Sequence, residues 1–351
     1  MHGSIWVYRL YDVAQEIDLS RAGRILAAKK PVVSRLKLSK VHPKALEIKN
    51  PPLTVELERC TLRIRNKEFP VFPRGRAYDF GVLSVILRIQ LPENLKYGEL
   101  RKLAVSINES KELENLFTTY RDDLLEALGP ALIDAGISGF VEDFTIFFFE
   151  RWPHEWDPVP LLLGEADKVS KDMRRETLKN QFSYSDDRTI ITWDAALVCE
   201  PSGSTDVPDL LEFANAQLLE LRYYDNVLDR ELAAMYDAIA EAGKGGYRRL
   251  KKYREIMRQM MELVLDVTEI TEKVQNALKV TEDVFYMRVY TAALKIFRVQ
   301  EWLRSIERKI EVIERNYTML SDELVTHRFL LLEVAIVILI TLEVILWFWA
   351  P

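Results

Sequence analysis

The sequence predicts an α+β protein with three parts: an N-terminal mixed or antiparallel sheet with packed helices, a long antiparallel coiled-coil helical stalk, and one C-terminal transmembrane helix. Segments rich in β-branched and aromatic residues alternate with helical patterns before residue 207. Heptad-spaced apolar residues then fill positions 208–328, and an apolar run follows. We therefore expect a head (residues 1–207), a stalk (208–328) and an anchor (329–351).

Composition limits the kind of protein that this chain can be. Of its 351 residues, 48% are apolar and 29% are charged, which supports a folded core and excludes disordered and fibrous classes. Cys60, Cys199 and four histidines are too few ligands for a zinc finger, an iron–sulfur protein or a c-type haem protein. The first residues lack the basic and apolar regions of a secretory signal. We expect no cofactor and no metal.

Strand and helix patterns alternate in the head. β-Branched and aromatic residues predict strands at residues 5–11, 53–64, 78–91, 139–149 and 189–198. Helical periodicity predicts helices within residues 95–127 and 160–180. These elements indicate helices packed on a mostly antiparallel sheet.

The stalk is predicted from three apolar seams with 3-4 spacing, at residues 211–239, 250–278 and 289–324. A 3.5-residue repeat keeps one stripe of a helix facing a partner, so the seams indicate an up-down-up coiled coil. Glycines at 243, 245 and 246 supply the first turn, and residues 281–283 begin the third helix. Asp225 lies on a seam, where it serves as a register device or an ionic contact.

Basic residues surround the glycine turn, which this arrangement directs toward the anchor end. They are Lys244, Arg248, Arg249, Lys251 and Lys252. Attraction to anionic lipid headgroups and a merely solvated helix face are equal alternatives for this group.

The apolar run at residues 329–350 is about 33 Å long as a helix, which matches a bilayer core. It predicts a single-pass, tail-anchored membrane protein whose N-terminal bulk is cytoplasmic, at the inner membrane if the source is bacterial. Glu333 is close enough to one boundary to snorkel. Glu343 favours hydrogen bonding between helices of a homo-oligomer over a proton relay.

A basic stretch occupies residues 21–76, where fifteen Lys and Arg stand against four acids, an excess of +11 in a chain of net charge −6. Such an excess indicates either internal pairing or an acidic partner such as RNA or lipid. The candidate polyanion-binding residues are Arg35, Lys37, Lys40, Arg59, Arg63, Arg65 and Lys67. Phe69 and Phe72 are the aromatic residues near them, which is poor support for base stacking.

Catalytic motifs are not found: the sequence has no phosphate loop, GxSxG elbow, HExxH or CxxC. His154, Glu155 and Asp157 could bind a metal, but a polar turn is the more ordinary interpretation. Three aspartates at 186, 187 and 194 could pair as acids, although a turn beside strand edges explains them too. The sequence favours a non-enzymatic scaffold or tether, with a membrane-bound enzyme carrying its site in the head as the alternative.

Three strings resemble the RMD family, whose name abbreviates required for meiotic nuclear division and whose members are mitochondrial, yeast and bacterial. They are AYDFGV at residues 77–82, LEFANAQLLELRYYD at 211–225, and the tail containing Leu332-Glu333 and Leu342-Glu343. The resemblance implies a membrane-anchored protein that supports translation as a tether of the ribosome. It supplies no active-site residues. Because an Arg-rich and Ser-rich presequence is missing, the chain resembles a bacterial member or a processed form.

Overall fold

The computed structural model describes residues 3–29, 33–38, 46–136, 138–165, 169–242, 249–276, 278–280 and 284–349. The strands are β1 (Gly3–Asp12), β2 (Ala14–Ile17), β3 (Val33–Arg35), β4 (Leu46–Ile48), β5 (Leu53–Glu56), β6 (Cys60–Ile64), β7 (Lys67–Ala77), β8 (Val82–Gln90), β9 (Leu132–Ala135), β10 (Val141–Phe149), β11 (Gln181–Phe182), β12 (Arg188–Ile191), β13 (Ala195–Cys199) and β14 (Leu278–Val280). The helices are α1 (Leu19–Lys29), α2 (Tyr97–Asn108), α3 (Lys111–Leu128), α4 (Pro158–Leu162), α5 (Lys171–Thr177), α6 (Asp206–Ala242), α7 (Arg249–Asn276), α8 (Val284–Ile296) and α9 (Val299–Trp349), with a 3-10 turn at Gly129–Ala131.

One large sheet organises the head, in the order β11-β12-β13-β10-β1-β8-β7-β5-β3, with β6 also paired to β7. Its neighbouring strands are antiparallel apart from the parallel pair β10–β13. β1 lies near the middle, in register with β10 on one side and β8 on the other. The α+β prediction with a mostly antiparallel sheet is confirmed.

Period-two alternation places different side chains on the two faces of this sheet. One face presents apolar residues such as Val7 and Leu87 to a core that includes Phe117 and Leu124 of α3. The opposite face of the sheet packs against the first turns of α6. There the ring centroid of Phe213 lies 5.7 Å from that of Tyr78 and 6.3 Å from that of Phe80. The sheet is therefore covered on both sides.

Several predicted elements are subdivided in the structure. The helix expected within residues 95–127 is α2 and α3, because the Ser110 side chain accepts from the Leu113 N–H and begins a new helix. The one expected within 160–180 is α4 and α5, which Gly164 separates at φ +62°. Residues 189–198 form the antiparallel pair β12 and β13. β7 was missed because Pro70 and Pro73 argue against a strand.

The chain divides into two compact units. The first comprises residues 1–223 and 272–302, and the second comprises residues 224–271 and 303–351. The sequence placed boundaries after residues 207 and 328, between head, stalk and anchor, and the compact units divide the chain at other residues. The helix predicted over 289–324 is interrupted between α8 and α9, where Arg298 has φ +55°. The predicted turns at 243–246 and 281–283 lie outside the described residues.

Asp225 makes the predicted ionic contact within the second unit. The Lys309 Nζ atom lies 2.8 Å from Asp225 Oδ1 and 2.7 Å from Asp229 Oδ1. Leu228 of α6, Met260 of α7 and Ile306 of α9 are buried in the same unit. A lysine that bridges two carboxylates favours one register of α9 against α6.

The predicted transmembrane segment is the main correction. None of the helices in the described ranges has an apolar stretch long enough to cross a membrane. The stretch 329–345 of α9 carries most of the apolar residues on which that prediction depended. Glu333 and Glu343 lie within it, and its large apolar side chains are exposed. The predictions of a single-pass tail anchor and of membrane localisation with a cytoplasmic N-terminal bulk are overturned by this finding.

Candidate functional site

The β6–β7 hairpin carries most of the basic side chains that the sequence singled out. Arg65 and Asn66 form its two-residue turn with φ of +48° and +60°, the left-handed pair that matches the twist of a tight hairpin. Leu62 and Ile64 point into the core, so the alternate residue Arg63 is exposed. The strand pattern thereby directs positive charge outward at the edge of the sheet.

A hollow of about 190 Å³ lies beside this hairpin, against α2. Its cationic lining consists of Arg65, Lys67 and Lys102, and its acid is Glu99. Lys67 Nζ lies 2.9 Å from Glu99 Oε1, and both side chains are about half exposed, so water screens the pair. Within the described part of the chain, Arg65 and Lys102 have no ion pair. The hollow keeps a local charge of +2.

Arg59, just before β6, and Arg63, within it, are exposed and add to the positive charge of the hairpin. The Arg59 guanidinium lies 5.0 Å from the ring centroid of Phe72, a cation–π contact that leaves its N–H groups free to donate. Arg63 is exposed, and its backbone N–H donates to Glu112 of α3. We name Arg59, Arg63, Arg65, Lys67 and Lys102 the cationic hairpin surface.

The other predicted polyanion-binding residues lie elsewhere. Arg35 donates from Nη1 to the Pro51 carbonyl at 2.8 Å beside β3, and Lys37 is exposed just after that strand. Lys40 lies outside the described residues. Lys102 was missed because it is 35 residues from Lys67 of the hairpin, although its place on a helix with Lys96 and Glu99 was visible in the sequence.

An ionic cluster that the sequence did not indicate is buried between the sheet and α6. The Arg76 guanidinium, 1% exposed, donates to Asp209 Oδ1 at 2.9 Å, to Glu212, and to Thr54 Oγ1 at 3.2 Å. Burial raises the pKa of Glu212, and the positive charge of Arg76 opposes that shift. One cation with two carboxylates leaves the cluster acidic.

Hydroxyl groups surround the cluster without completing its hydrogen bonds. In the described residues, the hydroxyls of Tyr8, Tyr78 and Ser84 have no hydrogen-bond partner, and neither has Glu212 Oε1. Burial raises the pKa of both tyrosines well above the ordinary value. Because Arg76, Asp209 and Glu212 are buried, their contacts orient α6 on the sheet.

Asp12 at the end of β1 gives a pH-dependent prediction. Burial raises the pKa of Asp12 to about 6, with the Ser138 hydroxyl opposing the shift. A carboxyl whose folded pKa exceeds the unfolded value stabilises the fold when protonated, so the free energy of unfolding should fall by about 2–3 kcal/mol between pH 4 and pH 6.5. Asp12→Asn should remove that fall in urea titrations. Asp134→Asn, at an exposed position, should leave the fall in place. If the free energy of unfolding changes equally with pH in the wild type and both variants, the assignment to Asp12 is contradicted.

A cavity of about 230 Å³ bears on the enzyme alternative. Arg9, Glu114, Asp143 and Asp194 supply its charged lining. Arg9 already engages two of the carboxylates, donating to Asp143 Oδ1 at 2.7 Å and to both oxygens of Glu114. The bond from Arg9 lowers the pKa of Glu114, which is opposite to the shift that a general acid requires.

The two acidic groups considered for catalysis have turn roles. Asp157 begins α4 by accepting from the Val159 N–H and pairs with Arg174. Asp187 accepts from the backbone N–H groups of Tyr184 and Ser185. Among the described residues there is no group of three side chains, His154 and Glu155 included, that could hold a metal.

The remaining predicted residues lie on exposed helix surface or beyond the description. Lys251 and Lys252 are exposed on α7; Lys244 and Arg248 lie outside the described residues, and so does the side chain of Arg249. Glu333 and Glu343 are exposed on α9. Their predicted role in an oligomer stays a prediction.

Comparison with known proteins gives two matches of different extent. The family model described as "Uncharacterized protein MJ0711, N-terminal domain" matches residues 2–205. A protein of Methanocaldococcus jannaschii that bears the name "Uncharacterized protein MJ0711" is 28% identical over 273 residues, which cover 71% of this chain and 82% of that protein. No solved structure matches the chain. The matched region includes the whole cationic hairpin surface.

Proposed function

The chain belongs to the family of the MJ0711 N-terminal domain, and from the geometry of that domain we propose that it is a non-enzymatic RNA-binding tether. Its cationic hairpin surface contacts the phosphate backbone of a ribonucleoprotein. The observation that supports this proposal is the set of three cations, Arg63, Arg65 and Lys102, that have no ion pair within the described residues. The internal-pairing alternative remains the competing interpretation, because Glu68 lies opposite Arg63 on the hairpin and Glu112 accepts from the Arg63 backbone N–H.

Two features favour backbone contacts over base recognition. Phe69 is 2% exposed, and Arg59 covers Phe72, so neither ring offers an open face for a base. Exposed Arg and Lys side chains bind phosphates without reading sequence. The protein should therefore bind RNA with little sequence preference and with steep salt dependence. The resemblance to the RMD family implies a partner in translation such as the ribosome. A ribosome is a ribonucleoprotein, the class of partner proposed above.

Replacing Arg63, Arg65 and Lys102 by Gln should weaken RNA binding at least about tenfold at 50 mM salt. The slope of log affinity against log salt should shrink by about 2, since each lost phosphate contact on a single strand contributes about 0.7. The measurement is fluorescence anisotropy of labelled poly(U) and poly(A) 20-mers with the full chain, in mild nonionic detergent that covers the exposed apolar side chains of residues 329–345.

The matched control removes three cations elsewhere. Arg151→Gln, Lys171→Gln and Arg304→Gln change the net charge equally at exposed positions outside the hairpin. Affinity close to that of the wild type in this control assigns the effect to the surface and excludes an effect of net charge alone. Wild-type binding that is undetectable at 50 mM salt, or that does not change with salt, contradicts the proposal.

A further inference from the structure

Helix α7 has two apolar faces, and only one of them is covered within its unit. Tyr253, Ile256, Met260 and Val267 are buried on the first face. The second face carries Met257, Met261 and Leu265 at successive i, i+4 positions, and Met261 and Leu265 are 40% and 62% exposed. These residues, together with Tyr317 of α9, line an open groove of about 380 Å³. A stripe at this spacing fits another helix.

Cations predominate among the exposed charges in the first half of α7 and acids in the second; Glu255 is an exposed acid in the first half, and Arg258 lies 3.6 Å from Glu262 across the boundary between the halves. Lys251, Arg254 and Arg258 are exposed in its first half. Glu262, Asp266 and Glu269 are exposed in its second half. A parallel second copy of α7 would therefore place cations against cations, which is unfavourable. An antiparallel copy places the basic half against the acidic half over its whole length.

We propose that the Met257–Met261–Leu265 stripe is a homodimer interface, at which α7 packs antiparallel on α7 of a second copy. A two-fold axis that crosses the helices at right angles, at the level of Met261 and Glu262, relates the two copies. The same surface of each copy then contacts that of the other, as an isologous interface requires. Measured along the helix, Arg254 and Glu269 are each 7.5 residues from the axis, which is about 11 Å at 1.5 Å per residue. Arg254 of one copy is therefore level with Glu269 of the other. Both symmetry-related pairs are attractive.

The contact is small, so its affinity is moderate. A few helical turns bury less surface than an obligate dimer interface, and we expect a dissociation constant on the order of micromolar. Each substitution changes the interface twice because of the two-fold symmetry. Charge reversals should therefore have large effects even though the side chains are exposed.

Sedimentation velocity of the full chain in mild nonionic detergent, over roughly 1–100 μM, tests the proposal. Arg254→Glu and Glu269→Arg should each raise the dissociation constant at least about tenfold, because each alone juxtaposes like charges. A mixture of the two single variants should form a heterodimer, since the introduced glutamate of one then faces the introduced arginine of the other, and the unchanged Glu269 faces the unchanged Arg254. The double variant should dimerise with itself.

Leu265→Glu tests the apolar stripe, and Met287→Glu is its control at an exposed apolar position of α8. The first should abolish dimerisation, and the second should leave it intact. Thermal unfolding would show that both variants are folded. A wild type that stays monomeric at 100 μM, a dimer that survives Leu265→Glu, or single variants that do not complement one another would each overturn the proposed interface.

Discussion

Replacing Arg76 by Met is expected to lower the free energy of unfolding by about 3–5 kcal/mol at pH 7. The substitution keeps much of the volume but leaves Asp209 and Glu212 buried without their cation. Because an unpaired carboxyl is then more stable when protonated, the loss should shrink as the pH falls from 7 toward 5. Urea titrations of the full chain at several pH values measure both effects.

Arg74→Met is the matched control, two residues away on the same strand and the same face. Arg74 pairs with Glu56, which is 39% exposed, and the loss of such a pair should cost less than about 1 kcal/mol. Adding Asp209→Asn and Glu212→Met to Arg76→Met should recover most of the stability, since no buried charge remains. Equal losses for Arg76→Met and Arg74→Met would show that the buried cluster does not hold α6 on the sheet.

Gly81→Ala is expected to lower the free energy of unfolding by at least about 3 kcal/mol, or to prevent folding. Gly81 has φ +92°, and a Cβ atom there would lie 1.8 Å from the Ala14 carbonyl oxygen. The same turn is tied to its neighbours by the bond from the Val13 N–H to the Gly81 carbonyl, 3.1 Å, and by the bond from the Ile17 N–H to the Asp79 carbonyl, 3.1 Å. A rigid backbone atom cannot move aside as a side chain can.

Gly98→Ala is the control for this prediction. Gly98 lies in the first turn of α2, and a Cβ atom there meets no atom within 4 Å. Because Ala has the higher helix propensity, the variant should be unchanged or more stable by up to about 1 kcal/mol. Thermal and urea unfolding of both variants compare them directly. A Gly81→Ala protein as stable as the wild type would contradict the close approach of the β7–β8 turn to β2.

Local patterns in the sequence were sufficient for the class of fold and for most elements. β1, β8 and β10 were predicted because they are rich in β-branched and aromatic residues. β7 was not, since Pro70, Pro73 and Gly75 weaken its pattern; pairing with β6, β5 and β8 makes it a strand. The apolar run after residue 328 predicted a membrane anchor from its length and hydropathy alone, and none of the helices in the described ranges meets that requirement.

For the candidate site, the sequence by itself determined where the positive charge lies along the chain. Arg59, Arg63, Arg65 and Lys67 are close in sequence, so strand alternation is enough to expose them. Only the tertiary structure decided that Lys102 joins them and that Arg76, from the same basic stretch, is buried against two carboxylates of α6. The physical reason is that period and composition are local, whereas a partner 133 residues away, such as Asp209 for Arg76, is chosen by the packing of α6 on the sheet.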